Sequence, residues 1–182
     1  MNNYLNNSHE GVVFSCAKNT SGIPEGLASI VLNNPPVNAL SLSVVDKMHE
    51  ILLHINDNKD IKLVEIQGAS PHFSAGADLK ERSAMSDKES LKFLDKINNC
   101  FDLLENLKVP TICWLEGGAA LGGGAELALC CDIVIATNLY DGFHKIGFPE
   151  TSIGIIPGAG GTYRIYKKMN QTTAPEEIFM CA

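Results

Sequence analysis

The sequence predicts an α/β fold, because short apolar runs bounded by turn residues alternate with longer stretches in which apolar residues recur at steps of three and four. No repeat, low-complexity tract or linker interrupts that alternation, so residues 1–182 are expected to form one domain. Composition agrees: 45% of the residues are hydrophobic and 19% charged, the balance of an ordinary globular domain. A chain of this size can bury roughly 70% of the surface its unfolded form exposes and needs no covalent staples.

The elements follow in order. VVFSC and LASIVLNN read as two strands joined by the turn-rich KNTSGIPEG, and PPVNAL breaks the second. SLSVVDKMHEILLHIN places Val44, Val45, Met48, Leu52 and Ile55 on one helical stripe, with Ser43 and Asp46 at the spacing of a cap and its acidic third residue. KLVEIQG is a short strand, followed by the loop GASPHFSAGADLKE. A long helix is expected next, with Leu91, Leu94, Ile97, Phe101, Leu104 and Leu107 on its core stripe. Pro110 ends it, and TICWLEG reads as a strand. ALGGGAELAL then leads into a helix and DIVIAT into a strand. After a loop, GFPETSIGIIPGAGGTYRIYKK is glycine-rich before it turns helical. Trp114 reads as core.

Charge and cysteines narrow the function. The net charge is −7 and there are only two arginines, which argues against nucleic acid or an anionic membrane as partner. No stretch approaches membrane-spanning length. The six cysteines form no CxxC pair, and Cys130 and Cys131 lie side by side in an apolar run. They read as reduced, mostly buried thiols, neither a disulfide framework nor a zinc site. MNNYLNNSHEGVVF has no basic or apolar leader region and no arginine precedes Arg82, so a cytoplasmic location is expected.

The glycines before Glu126 demand a reason. A phosphate-binding GxxxxGK[ST] is missing, and GxGxxG fails because its third position is Leu127 or Tyr163. Close packing of a helix on a sheet would explain the glycines together with Ala125, Ala128, Cys130 and Cys131. It leaves Glu126 unexplained, since an unpartnered buried carboxylate costs several kcal/mol or shifts its pKa. If Gly123 opens the helix, its N–H has no intrahelical acceptor and stands at the positive end of the helix dipole. Without a Cβ it admits a substrate carbonyl, and Glu126 lies on the same face three residues on. One oxyanion donor is worth about 2.7–4 kcal/mol of barrier in a known hydrolase. Ser74-Ala75-Gly76-Ala77 offers a second set of accessible N–H groups, and Glu150, after Pro149 in GFPE, a second carboxylate.

AGADLKE, ALGGGAELAL with CDI and IA after it, IGFPE with GIIPGAGGT, and PPVNAL upstream together resemble the crotonase superfamily. The resemblance runs from about Val12 to Ile165 with the motifs in the family's order. It implies a spiral of stacked ββα units and an acyl-CoA thioester as substrate, with coenzyme A part of the substrate and no separate cofactor or metal. It places the thioester oxygen on the N–H groups of Ala77 and Gly123, and a water between Glu126 and Glu150. By resemblance, Glu126 activates the water and Glu150 delivers a proton to the α-carbon. Ala75, Ala77, Asp78, Leu79, Lys80, Gly122, Gly123 and Pro149 are the substrate-binding positions it implies, with Lys80 as the charged contact, and residues 83–89 as a variable pocket wall. His72 has no role in this pattern.

The implied activity is enoyl-CoA hydration in fatty acid metabolism, with enoyl-CoA isomerisation, acyl-CoA hydrolysis or non-catalytic acyl-CoA binding or assembly as alternatives. Isomerases of the family usually keep only the position of Glu150, so Glu126 favours hydration. The family also implies a homo-oligomer, a trimer or hexamer, built by helices that follow TYRI. This sequence stops after NQTTAPEEIFMCA, so that segment is expected to be absent or truncated.

Overall fold

A computed structural model describes residues 11–17, 24–69, 71–116, 118–136 and 145–169. Strands β1 (Val12–Cys16), β2 (Leu27–Leu32), β3 (Leu63–Gly68), β4 (Thr111–Leu115) and β6 (Ile133–Ala136) form one sheet in the order β1-β2-β3-β4-β6. β1 runs antiparallel to β2, with Val12 opposite Leu32; the remaining pairs are parallel. Alternation sends Val12, Phe14, Ala28, Ile30, Leu32, Val64, Ile66, Cys113 and Leu115 to one buried face. Trp114 points the other way and is half-buried, so it lies outside the innermost core.

Two helices cover the buried face. α1 (Leu42–Asp57) lays down Val44, Val45, Met48, Ile51, Leu52 and Ile55. Its cap is Ser41, whose hydroxyl accepts from the Val44 N–H, so the cap expected at Ser43 is displaced by two residues. The chain leaves the preceding segment at Leu40, and Ser41 is the last residue with extended backbone. α2 (Leu79–Ala84) begins inside the stretch expected to be loop, and α3 (Asp87–Glu105) is the long helix expected after it. Ser86 and Glu89 form a capping box that starts α3 afresh. Residues 83–89 are therefore the junction of two helices. The buried face of α3 is Phe93, Ile97, Cys100, Phe101 and Leu104. Leu91, expected on the stripe, is 64% exposed: at about 100° per residue it falls nearly opposite Phe93. Lys96 pairs with Asp46 at 2.7 Å across α1 and α3.

β5 (Ala119–Leu121) pairs in parallel with β7 (Lys145–Gly147), a strand within the stretch expected to be loop. Single bridges extend this small ladder to Ser74, opposite Ala120, and to Leu40, opposite Ala77. Each turn of the chain thus runs from a strand of the large sheet to a position on the small ladder and then into a helix. Leu40 leads to α1, Ala77 to α2, β5 to α4 (Gly123–Cys130), and β7 to the 3-10 helix Pro149–Ile153. This is the expected spiral of ββα turns. α5 (Gly161–Met169) closes the described chain.

Cys100, Cys113, Cys130 and Cys131 are buried and free, and Cys16 is half-buried; Cys181 lies outside the described residues. Burial pushes the Cys100 thiol up to about 12 and the Cys130 thiol upward as well, so both stay protonated.

Candidate active site

The stacked turns converge at the small ladder. The Ala75 N–H donates to Val37 O, Leu40 N–H to Gly76 O, Leu121 N–H to Ser74 O and Gly122 N–H to Gly147 O. Four separate segments are thereby held side by side by backbone bonds. Two of the predicted positions, Ala77 and Gly123, emerge together from this ladder.

Gly122 makes the turn into α4 with φ 52°, left-handed backbone that favours glycine. Gly123 follows as the first helical residue, and no side chain caps the helix. Gly76, at φ 92°, makes the corresponding turn before Ala77. A Cβ on Gly76 would stand 3.0 Å from Gly123 N, and one on Gly123 would stand 3.4 Å from Ala77 N. Among the described residues neither the Ala77 nor the Gly123 N–H is spent on a hydrogen bond. Two unspent donors are therefore neighbours, one of them at a helix N-terminus.

The turn carrying Ala77 is fixed from behind. The Ser74 hydroxyl donates to Asn38 O at 2.7 Å and accepts from the Gly76 N–H at 3.1 Å. Asn38, itself buried, donates its side-chain amide to His72 O. His72 accepts the Ala119 N–H on Nδ1, a structural tie. Ala75 is exposed and Ala77 half-buried. The Asp78 carboxylate caps α2 by accepting from the N–H groups of Lys80 and Glu81. Leu79 is 60% exposed and Lys80 is exposed, so both are open to a ligand beside Ala77.

The two carboxylates close the arrangement. Glu126 is 3% exposed, and its Oε1 accepts the N–H groups of Ala159 at 2.8 Å and Gly161 at 2.9 Å. Its Oε2 makes no hydrogen bond among the described residues. Burial raises its pKa; the Gly161 and Ala159 N–H groups lower it, the Glu150 charge raises it further, and Arg164 lowers it. Glu150, the second residue of the 3-10 helix after the half-buried Pro149, is 8% exposed and also raised by burial. Its Oε2 is buried with no hydrogen-bond partner among the described residues. Its Oε1 lies against Gly122, where a Cβ would come within 2.8 Å.

The structure brings the sequence-predicted Ala77, Gly123, Glu126 and Glu150 together around Gly122; the turn 159–161 and Arg164 were not among the positions singled out from the sequence. The turn was visible as GAGGT, but its task is performed by backbone N–H groups, which leave no side-chain signature. Among the described residues no group of His, Cys, Asp and Glu is placed to hold a metal ion, and no helix is long and apolar enough to cross a membrane.

Residues 22–182 match the enoyl-CoA hydratase/isomerase family model, and the chain belongs to that family. It is 38% identical over 163 residues to the enoyl-CoA isomerase/hydratase fer4 of Mycosarcoma maydis, covering 85% of this chain and 58% of the relative. It is 40% identical over 143 residues to human methylglutaconyl-CoA hydratase, mitochondrial, covering 78% of this chain and 41% of that protein. Among solved structures, an enoyl-CoA hydratase from Bacillus anthracis superimposes with a TM-score of 0.81 at 34% identity, covering 93% of this chain and 62% of the other. The chain thus spans about half the length of the curated relatives it matches.

Proposed function

We propose that the site hydrates a trans-2-enoyl-CoA. The observation that carries this reading is the pairing of two unspent N–H groups, Ala77 and Gly123, with two buried carboxylates, Glu126 and Glu150, around Gly122. The N–H pair would donate to the thioester oxygen, drawing electron density from the β-carbon and stabilising the enolate that forms on attack. Glu126 suits the base: two N–H donors hold its Oε1, leaving Oε2 to take a proton from water. Glu150 suits the acid, because a buried oxygen without a donor favours the protonated form. Hydroxide equivalent adds to the β-carbon, the Glu150 proton goes to the α-carbon, and the water's proton remains on Glu126. Exchange with a further water resets the pair. Because acid and base are both side chains, the step calls for no cofactor beyond the coenzyme A of the substrate. Leu79 and Lys80 would contact that coenzyme A beside Ala77.

The carboxyls act as a coupled pair, so the roles describe the dominant microstate. Some relatives are named as mitochondrial. The test of the reading is loss of enoyl absorbance from trans-2-enoyl-CoA thioesters of several chain lengths. Rapid loss that vanishes in Glu126→Gln and Glu150→Gln supports it. No loss above the uncatalysed rate removes hydration from this chain and leaves the fold untouched.

A further inference from the structure

We propose that Arg164 is a positioning residue for Glu126: it clamps the turn 159–161 to α3 and so fixes the two N–H groups that hold the carboxylate. This inference rests on reading Glu126 as the catalytic base. Arg164 lies in the first turns of α5 and is 3% exposed. Its Nε donates to Glu105 Oε2 at 2.8 Å and its Nη2 to Asp102 Oδ1 at 2.7 Å, both on α3. Its Nη1 donates to the carbonyl of Ala159. The N–H of that same Ala159 donates to Glu126 Oε1. One residue therefore joins the guanidinium to the carboxylate.

The rest of the turn is tied in the same way. The Arg164 N–H donates to Gly160 O, and Gly161, one residue further, supplies the second donor to Glu126. Asn98 on α3 donates to Gly158 O, a second tether at the start of the turn. The turn is thus pinned to α3 on both sides of the residues that face Glu126.

A buried cation is a poor way to gain stability alone, because its desolvation offsets much of the ion-pair attraction. What a guanidinium offers here is a fork of fixed geometry that satisfies three acceptors on two elements at once. Its charge also acts on Glu126 directly, opposing the raising effects of burial and of Glu150. Glu126 faces Glu150 from the 3-10 helix and Arg164 from α5; Glu105 and Asp102 on α3 bind the guanidinium, and Lys167 pairs with Glu105. Among the described residues the Arg164 side chain hydrogen-bonds to no substrate position, so its influence on chemistry runs through the turn and through Glu126.

The experiment compares the full chain with Arg164→Met, Arg164→Lys, Glu105→Gln and Glu126→Gln. Amide exchange at Ala159 and Gly161 is read by NMR, the Glu126 carboxyl is titrated by its 13C resonance (identified by its loss in Glu126→Gln), and enoyl-CoA turnover is measured separately. In Arg164→Met the two amides should exchange about tenfold faster or more, with the amides of β2 and β3 unchanged. The Glu126 titration should move to higher pH, and kcat should fall by about ten- to a hundredfold with little change in KM. Arg164→Lys should recover part of each effect, because it keeps the charge and loses the fork. Glu105→Gln, which loosens the anchor on α3, should move exchange in the same direction by less. If Arg164→Met does not fold, the other two variants carry the comparison. Lower thermal stability with unchanged exchange and unchanged Glu126 titration would overturn the proposal. A wild-type chain without turnover would strike the hydration reading alone, since exchange and titration still decide the role of Arg164.

Discussion

Gly122 lies against Glu150: a methyl group on Gly122 would stand 2.8 Å from Glu150 Oε1. Gly122 also holds φ 52°, so any side chain there is strained before it meets the carboxylate. Gly122→Ala should therefore displace Glu150 and lower the free energy of unfolding by about 1–3 kcal/mol. Steady-state kinetics beside denaturant unfolding would separate the two effects. Turnover should fall even under conditions where the variant is fully folded.

Gly76 offers a test of the donor pair itself. A Cβ there would stand 2.7 Å from Leu121 O and 3.0 Å from Gly123 N, prising apart the turns that present Ala77 and Gly123. Gly76→Ala should lower kcat by about 10²–10³, the scale of losing one oxyanion donor. Retained turnover in a folded Gly76→Ala chain would show that the two N–H groups do not share the thioester oxygen.

The two carboxyls set a pH dependence of stability. Burial is the leading cause that raises each above the ordinary 4.5. A group raised in the folded state binds its proton more tightly there than in the unfolded chain. Its stabilisation is complete below 4.5 and is lost as pH rises through the folded value. The unfolding free energy of the native chain should thus fall, relative to the Glu126→Gln/Glu150→Gln chain, as pH rises from 4.5. Urea titrations of both chains over that range would check the sign. A difference that stays flat with pH would mean that the carboxyls are not raised.

The core is testable apart from the site. Ile97, 3% exposed on the buried face of α3, should cost about 2–5 kcal/mol when truncated to Ala. Leu91→Ala, on the outer face of the same helix, should change stability by about 0.5 kcal/mol or less. Equal losses at both positions would contradict the helix orientation described here.

Those two positions also show what was legible in the sequence. Leucines three and four apart announce a helix, but one leucine at the end of the series can fall on the far side once the start of the helix is set by Ser86 and Glu89. β1 to β4 were legible because five or six residues of alternating burial carry a signal of their own, and β6 because IVIA is an uninterrupted apolar run. β5 and β7, three residues each, carry none and exist through the bonds they make with each other. Glu126 stood out because an acid among glycines and small apolar residues needs an explanation, whereas Glu150, a single acid beside a loop, was placed only by the family resemblance. Arg164 did not stand out, because its partners Asp102 and Glu105 lie some sixty residues away in the chain.

The most direct measurement of the central claim is product analysis after incubation of a trans-2-enoyl-CoA with this chain in deuterated water. Hydration through Glu126 and Glu150 predicts a 3-hydroxyacyl-CoA carrying one deuterium on the α-carbon, and none of it from Glu126→Gln. Recovery of unchanged substrate, or of an enoyl-CoA whose double bond has moved without gain of a hydroxyl group, would contradict the account.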